Sequence, residues 1–162
     1  MATIMGIDPG YGRCGWAIVT DRLTYIDCGV IETPPGDEGE RLLTIYQSVC
    51  DLITLYKPQS CGLEKLFFSK NTKTALSVVQ VIGVCKLILT QQNIPYSEYT
   101  PMQIKQSITG YGRSSKEQLS TMLIKILKCD IIHNYDDAFD AIAIALCHCL
   151  ATPAGTLLHQ KV

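Results

Sequence analysis

Ile4-Met5-Gly6-Ile7-Asp8-Pro9-Gly10-Tyr11-Gly12-Arg13-Cys14-Gly15 decides how the rest of the chain is read. The apolar residues up to Ile7 suit a buried strand, and Pro9 with the glycines after it stops that strand and permits tight turns. Asp8 therefore stands at the lip of a buried sheet. A carboxylate there is unfavourable unless a cation or hydrogen-bond donors satisfy it. Two partners commonly do so, a divalent metal and a phosphate held through a metal; a third reading makes Asp8 the cap of an ordinary hairpin turn. The stretch alone does not choose among them, but further acids at matching places would.

Moving outward, residues 15–20 and 23–32 read as two more strands of an antiparallel meander, with Asp21-Arg22 near the turn between them. Pro34-Pro35-Gly36-Asp37 breaks the pattern. Residues 38–56 then carry apolar side chains at helical spacing, with an acidic start that complements the helix dipole and an end at Lys57-Pro58. The next strand, residues 60–68, places Glu64 in a run otherwise fit for the interior. Either Glu64 belongs to a site, or it faces water on an edge strand or pairs with Lys65. Phe67-Phe68 precedes Ser69-Lys70-Asn71-Thr72-Lys73, so a ring at the strand's end beside lysines would suit stacking on unpaired bases; two core phenylalanines before a polar loop are the plainer alternative.

Residues 72–92 form a long helix that is apolar nearly all round, which requires burial on more than one face. One face packs on the sheet, and the other is expected to meet a second copy of the chain, a homodimer. A short strand at 96–99 follows. Thr100-Pro101 opens a helix that stops at Gly110, and Ser114-Ser115-Lys116-Glu117 is a capping box for a helix running to Leu127. Lys105, Arg113 and Lys116 thus gather around one loop and two helix ends, as phosphate contacts or as a solvated basic face. The last element carries Asp136, Asp137 and Asp140 ahead of an apolar run. Asp137 and Asp140 share a helix face. Capping explains acids at a helix start, but Asp140 sits a turn inside, where a divalent cation is the simplest remedy for like charges.

Composition narrows the class. The 162 residues suit one domain, assigned here to residues 1–152 with a short tail at 153–162, and 47% hydrophobic content supports one sizeable core. No long apolar run suggests a membrane span, and no secretory signal precedes the first strand, so cytoplasmic residence and reduced thiols are expected for the eight cysteines. Cys147-His148-Cys149 lacks a second ligand pair and continues an apolar helix, which weighs against zinc. The net charge of −1 hides a segregation: residues 57–128 hold ten basic side chains against three acids, whereas both flanks are acidic. Such a surface can hold phosphates while metals occupy the acids.

A strand acid, a second strand acid and a helical pair, in that order, resemble a nuclease of the ribonuclease H-like fold. Gly6-Ile7-Asp8-Pro9-Gly10, Glu64 before Phe67 and Lys70-Asn71, the loop Gly110-Tyr111-Gly112, and Asp137-Ala138-Phe139-Asp140-Ala141-Ile142-Ala143 together resemble the RuvC family of Holliday junction resolvases over about residues 4–150. The resemblance implies an α/β fold with a central mixed five-stranded sheet flanked by helices. It implies catalytic, metal-binding carboxylates at Asp8, Glu64, Asp137 and Asp140, with Asp136 outside the set. DNA-binding positions fall on Phe67, Lys70, Lys105, Arg113 and Lys116. Two magnesium ions per site, replaceable by manganese, a homodimer on four-way junction DNA, and a branch-migration helicase as partner complete the expectation. The activity implied is symmetric paired nicking that leaves 5′-phosphates in recombination and repair. Cys14 replaces the family's usual threonine, and Ile82 stands where an arginine often precedes the glycine matched by Gly83.

Three rivals remain at this level. A phosphotransferase of the actin and sugar-kinase type also ends its first strand in an Asp-Gly-rich turn, although such folds repeat the domain and this chain holds one copy. A catalytically silent junction-binding module would have little use for four acids near phosphates. A nuclease of the same fold acting on RNA is the third.

Overall fold

The computed structural model describes residues 1–66, 72–128 and 136–152. In chain order the elements are β1 (Thr3–Asp8), β2 (Arg13–Thr20), β3 (Tyr25–Glu32), α1 (Glu38–Tyr56), β4 (Ser60–Glu64), α2 (Thr72–Gln91), β5 (Tyr96–Tyr99), α3 (Pro101–Thr109), α4 (Lys116–Leu127) and α5 (Asp136–Ala151). The strands form one sheet in the order β3-β2-β1-β4-β5. The first three are the expected antiparallel meander, and β4 and β5 join parallel to β1. The sheet is thus mixed, as expected.

Alternation along each strand sorts side chains to two faces. Met5, Ile7, Ile18, Cys61 and Leu63 pack with Ile45, Val49 and Ile53 of α1 and with Val81, Cys85, Ile88 and Leu89 of α2. Burying an aliphatic side chain of this size contributes about 1.5–3 kcal/mol, so this face is a conventional source of stability. The opposite face receives α5, which touches all five strands and is covered in turn by Ile104 and Ile108 of α3 and Leu119, Leu123 and Leu127 of α4.

Local signals explain most element ends. Asp37 caps α1 by accepting from the Glu40 amide, and Lys57 closes the helix in the left-handed conformation. Thr100 and Gln103 form a capping box on α3, which ends at Gly110 with φ 77°. Several expectations are corrected in detail. β2 begins at Arg13, so the glycine-rich loop is a hairpin of only four residues, 9–12. β3 starts at Tyr25 because Leu23 adopts positive φ in the turn. β4 ends at Glu64 rather than reaching residue 68. The α4 box is shifted by one: Ser115 pairs with Gln118, while the Ser114 hydroxyl is buried without a hydrogen-bond partner. The expected tail, 153–162, lies outside the described residues. No helix among the described residues is long and apolar enough to cross a membrane.

Candidate active site

Asp8 ends β1 and Glu64 ends β4, and these strands are parallel neighbours with Ile7 opposite Leu63. The two carboxylates therefore leave the sheet side by side at the carboxyl edge, where ligands of open α/β sheets commonly bind. Because β4 lies between β1 and β5, Glu64 is not on an edge strand; its Lys65 neighbour makes no ion pair with it among the described residues.

The helical acids are brought to these strand ends by a close approach of α5 to the sheet. A Cβ added to Gly6 would lie 2.2 Å from the Ala141 carbonyl oxygen, one at Gly15 2.1 Å from that of Asp137, and one at Gly62 2.9 Å from the His148 Cβ. Gly6 and Gly62 are register partners, and Gly15 pairs with Asp8. The three glycines form a track across β2, β1 and β4, on which the small residues Ala138, Ala141 and Ala145 of α5 are fully buried. No larger residue would fit there, and the short separation brings Asp140 within the electrostatic field of Asp8 and Glu64.

Burial and crowding make these acids poor anions on their own. Asp8 is pushed up to about 9, first by burial and then by the charges of Glu64 and Asp140. Burial, with Asp140 adding to it, also raises Glu64, against the opposing effect of its hydrogen bond with Asp8. Asp140 is raised by burial and by Asp136 and Asp137, with Lys116 pulling the other way. Lys116 Nζ lies 3.1 Å from Asp136 Oδ2 and 3.6 Å from Asp140 Oδ2. Burial would lower its pKa, but these acids more than offset that and raise it. Asp136 itself is largely exposed, 83% at its side chain.

Of the expected basic contacts, Lys105 joins Glu64 and Asp140 in lining a cavity of about 110 Å³. Lys116 stands at the helical acids. Arg113 is exposed on the loop before α4 and is not among the residues that line that cavity. Phe67 and Lys70 lie outside the described residues. Cys147, His148 and Cys149 point to separate partners: the Gln103 carbonyl, the Tyr99 hydroxyl and the Thr20 carbonyl. Cys14 and Ile82, the two departures from the family pattern, are both buried.

Sequence reasoning missed Arg13. Its Nε lies 3.2 Å from Asp137 Oδ2, an oxygen that is buried and receives no hydrogen bond of good geometry, so the contact is one of charge. The available signal was parity: Arg13 is two residues before Gly15 on the same strand, hence on the face that meets α5. Arg41 was missed as well. It lies over the Tyr11 ring at 3.9 Å and donates to the Tyr11 and Thr33 carbonyls, pinning the hairpin loop.

A divalent cation suits this donor set chemically. Magnesium takes oxygen ligands, and crowded carboxylates such as Asp8, Glu64 and Asp140, whose pKa values burial raises, are the groups such a cation would help to ionise. Among the described residues no three Asp, Glu, His or Cys side chains form a finished metal cage; Arg13 and Lys116 engage the helical acids instead.

Comparison with known proteins is specific and spans the chain. The family model for "Crossover junction endodeoxyribonuclease RuvC" matches residues 4–148. A protein of that name from Natranaerobius thermophilus is 44% identical over 96% of this chain and 99% of its own length, and one from Petrotoga mobilis is 47% identical over 90% and 91%. Among solved structures, "T. thermophilus RuvC in complex with Holliday junction substrate" superposes with a TM-score of 0.88 at 28% identity, covering 96% of this chain and 98% of that one. The yeast mitochondrial Holliday junction resolvase Ydc2, at 12% identity, TM-score 0.68 and coverage of 98% and 81%, shares the fold. A phosphotransferase reading does not survive a match of this extent, and the chain belongs to the crossover junction endodeoxyribonuclease RuvC family.

Proposed function

We propose that this protein is a metal-dependent endonuclease that resolves four-way DNA junctions by paired symmetric nicks, in recombination and repair. The observation that carries the reading is the convergence of Asp8 and Glu64 from adjacent parallel strand ends with Asp140 from the closely docked α5. Asp8, Glu64, Asp137 and Asp140 would hold magnesium, two ions per site, with manganese as a substitute. When bound, these ions supply an activated water and charge neutralisation at the leaving 3′ oxygen, so that the product carries a 5′-phosphate.

The chain's own residues do the rest. Asp8, pushed up to about 9 by burial first, becomes a full anion only when positive charge arrives, which ties its ionisation to assembly of the complex. The same charge would act on Glu64, which burial raises in the same direction. Lys105, on the wall of the cavity that holds Glu64 and Asp140, suits contact with the phosphate being cut. Lys116 keeps a cation beside Asp140, where charge develops on the phosphate. Arg113, Phe67 and Lys70 are assigned to the junction outside the cleavage centre, the arginine by its exposure and the other two by family position alone.

A homodimer fits the reading, because two-fold symmetric DNA calls for two sites. Supporting it, α2 buries Val81, Cys85, Ile88 and Leu89 beneath while leaving Leu76 63%, Val79 42% and Leu87 54% exposed, and a Cβ at Gly83 would meet nothing within 4 Å. Cytoplasmic residence and a helicase partner for branch migration accompany the assignment.

The test is an end-labelled synthetic four-way junction, a matched duplex and an RNA–DNA hybrid, each incubated with magnesium or with chelator. Symmetric, ligatable nicks on the junction alone, lost with chelator, are expected. Cutting of the hybrid in preference to the junction would move the assignment to an RNA-directed nuclease, and binding without cutting would make the chain a silent junction binder.

A further inference from the structure

Beside the carboxylates lies a second, larger concavity whose lining, apart from Asp137, the cleavage chemistry does not use. It has a volume of about 640 Å³ and is lined by Gly10, Tyr11, Gly12 and Arg13 of the hairpin loop and its edge, by Ser77 and Val78 of α2, and by Asp137. It therefore shares one wall with the active site. We propose that this cleft seats the sugar-phosphate backbone of the DNA strand next to the bond that is cut, with Arg13 as a positioning residue that passes from Asp137 to a phosphate. The inference rests on the junction-cleaving reading above and adds to it a binding subsite and a residue.

Three observations carry it. First, the floor is built in advance. The Thr33 hydroxyl and the Arg41 guanidinium both donate to the Tyr11 carbonyl, Arg41 covers the Tyr11 ring, and the Thr33 amide donates to the Gly12 carbonyl. A loop held at this many points loses little entropy on binding. Second, the floor is narrow: a Cβ at Gly10 would stand 1.9 Å from the Arg13 carbonyl oxygen, so the turn is tight, while one at Gly12 would meet only the Arg41 guanidinium at 3.7 Å. Backbone can approach backbone there. Third, the wall carries a guanidinium whose side chain is 52% exposed, against Asp137 at a distance of charge contact but without a hydrogen bond on that oxygen. A guanidinium matches phosphate in charge and geometry, and an incoming phosphate competes directly with the Asp137 carboxylate for it. Seating the strand and releasing the carboxylate become one event.

The occupant is a nucleic-acid backbone rather than a second copy of the chain, because the wall shared with Asp137 continues into the cleavage site, whereas the exposed apolar residues of α2 are Leu76, Val79 and Leu87 and not the cleft residues Ser77 and Val78. Small residues on one side and Arg13 on the other leave room for a strand that is read by its phosphates.

The experiment measures junction binding by fluorescence anisotropy in chelator, from about 50 to 200 mM salt, for the wild type, Arg13→Ala and Arg13→Lys. Arg13→Ala should weaken binding by about tenfold and reduce the slope of log affinity against log salt by about one, the signature of one lost phosphate contact. Arg13→Lys should keep the slope and recover part of the affinity. Wild-type affinity and slope in Arg13→Ala, with only cleavage or melting temperature changed, would overturn the proposal and leave Arg13 as a prop for Asp137. A photo-crosslinking p-benzoylphenylalanine at Val78 provides an independent readout. A crosslink to the strand within about two nucleotides of the nick is expected, and a crosslink to a second protein chain would overturn the proposal. Parallel cleavage by the wild type separates the two levels: if it cuts the junction while Arg13→Ala binds normally, only the subsite falls.

Discussion

The two faces of the sheet are packed by different rules. Toward α1 and α2, large branched side chains such as Ile7, Ile18, Ile45, Ile88 and Leu89 interdigitate at ordinary helix-on-sheet distance. Toward α5, Gly15, Gly6 and Gly62 have no side chains at all, and the helix backbone sits almost on the strands. The first face stabilises; the second sets a distance. A helix carrying acids can reach acids on strand ends only if the sheet gives way beneath it, and three glycines across three adjacent strands do that.

If this division is right, the faces should break differently. The largest effect is expected at the carboxylate that the close face exists to serve. Asp8→Asn should lower the junction cleavage rate by more than about a thousandfold, equivalent to about 4 kcal/mol of barrier, with junction binding retained. The same variant should melt at a higher temperature than the wild type, since it removes a buried, mutually repelled acid; a lower melting temperature would contradict the account of the site's electrostatics.

Next comes the glycine track. Gly6→Ala places a methyl group against the Ala141 carbonyl and the Ala145 Cβ, where neither neighbour is a flexible side-chain end. It should destabilise by about 3 kcal/mol and, in the fraction that folds, reduce cleavage by displacing α5. Denaturant unfolding and cleavage on the same preparation check both, and an active, stable Gly6→Ala protein would dissolve the distinction between the faces.

A third prediction concerns pH and also belongs to the α5 face. His148 is 3% exposed, its Nδ1 lies 2.8 Å from the Tyr99 hydroxyl, and its Nε2 has no partner. Burial lowers its pKa to about 4. In the unfolded chain it titrates near its ordinary 6.5, so between these values the unfolded state binds the extra proton. The contribution of His148 to stability is therefore expected to fall by about 2 kcal/mol from pH 7 to pH 5, while protonation of Asp8 acts in the opposite direction over the same range. The check is thus the difference between the wild-type and His148→Gln stability profiles, which should shrink or reverse by that amount as pH is lowered.

The smallest effect tests the conventional face. Ile45→Val should lower stability by about 1 kcal/mol and leave the cleavage rate of the folded enzyme unchanged. A rate change as large as that of Gly6→Ala would mean that both faces position the acids.

Sequence patterns exposed the strand meander and the acids at strand and helix positions, because each is a local matter of period or type, whereas the mixed sheet came only with the family resemblance. What they did not expose was contact across the fold. Arg13 was left in the glycine-rich stretch ahead of a strand expected from residue 15, so its parity with Gly15 went unused, and parity by itself does not announce that its charge meets Asp137 on the last helix. Gly6, Gly15 and Gly62 are ordinary glycines until the register aligns them. Ser114 with Glu117 met the capping-box pattern, but Ser114 is buried and the box in the structure is Ser115 with Gln118, one residue on. Glu64 was the reverse case, where an edge-strand reading was open until strand order placed β4 inside the sheet.

The dispersal of the acids along the chain has a consequence for biosynthesis. Asp8 is near the beginning, Glu64 is separated from it by the α1 crossover, and Asp137 and Asp140 enter only with α5, the last described helix. Contacts between such distant segments are the slow ones to form, and chains emerge from the ribosome beginning at the N-terminus. On the proposed assignment of the four carboxylates, a growing polypeptide therefore carries two of them through most of its synthesis with no means of assembling the centre, and the nuclease would be armed only when the final helix settles onto its glycine track.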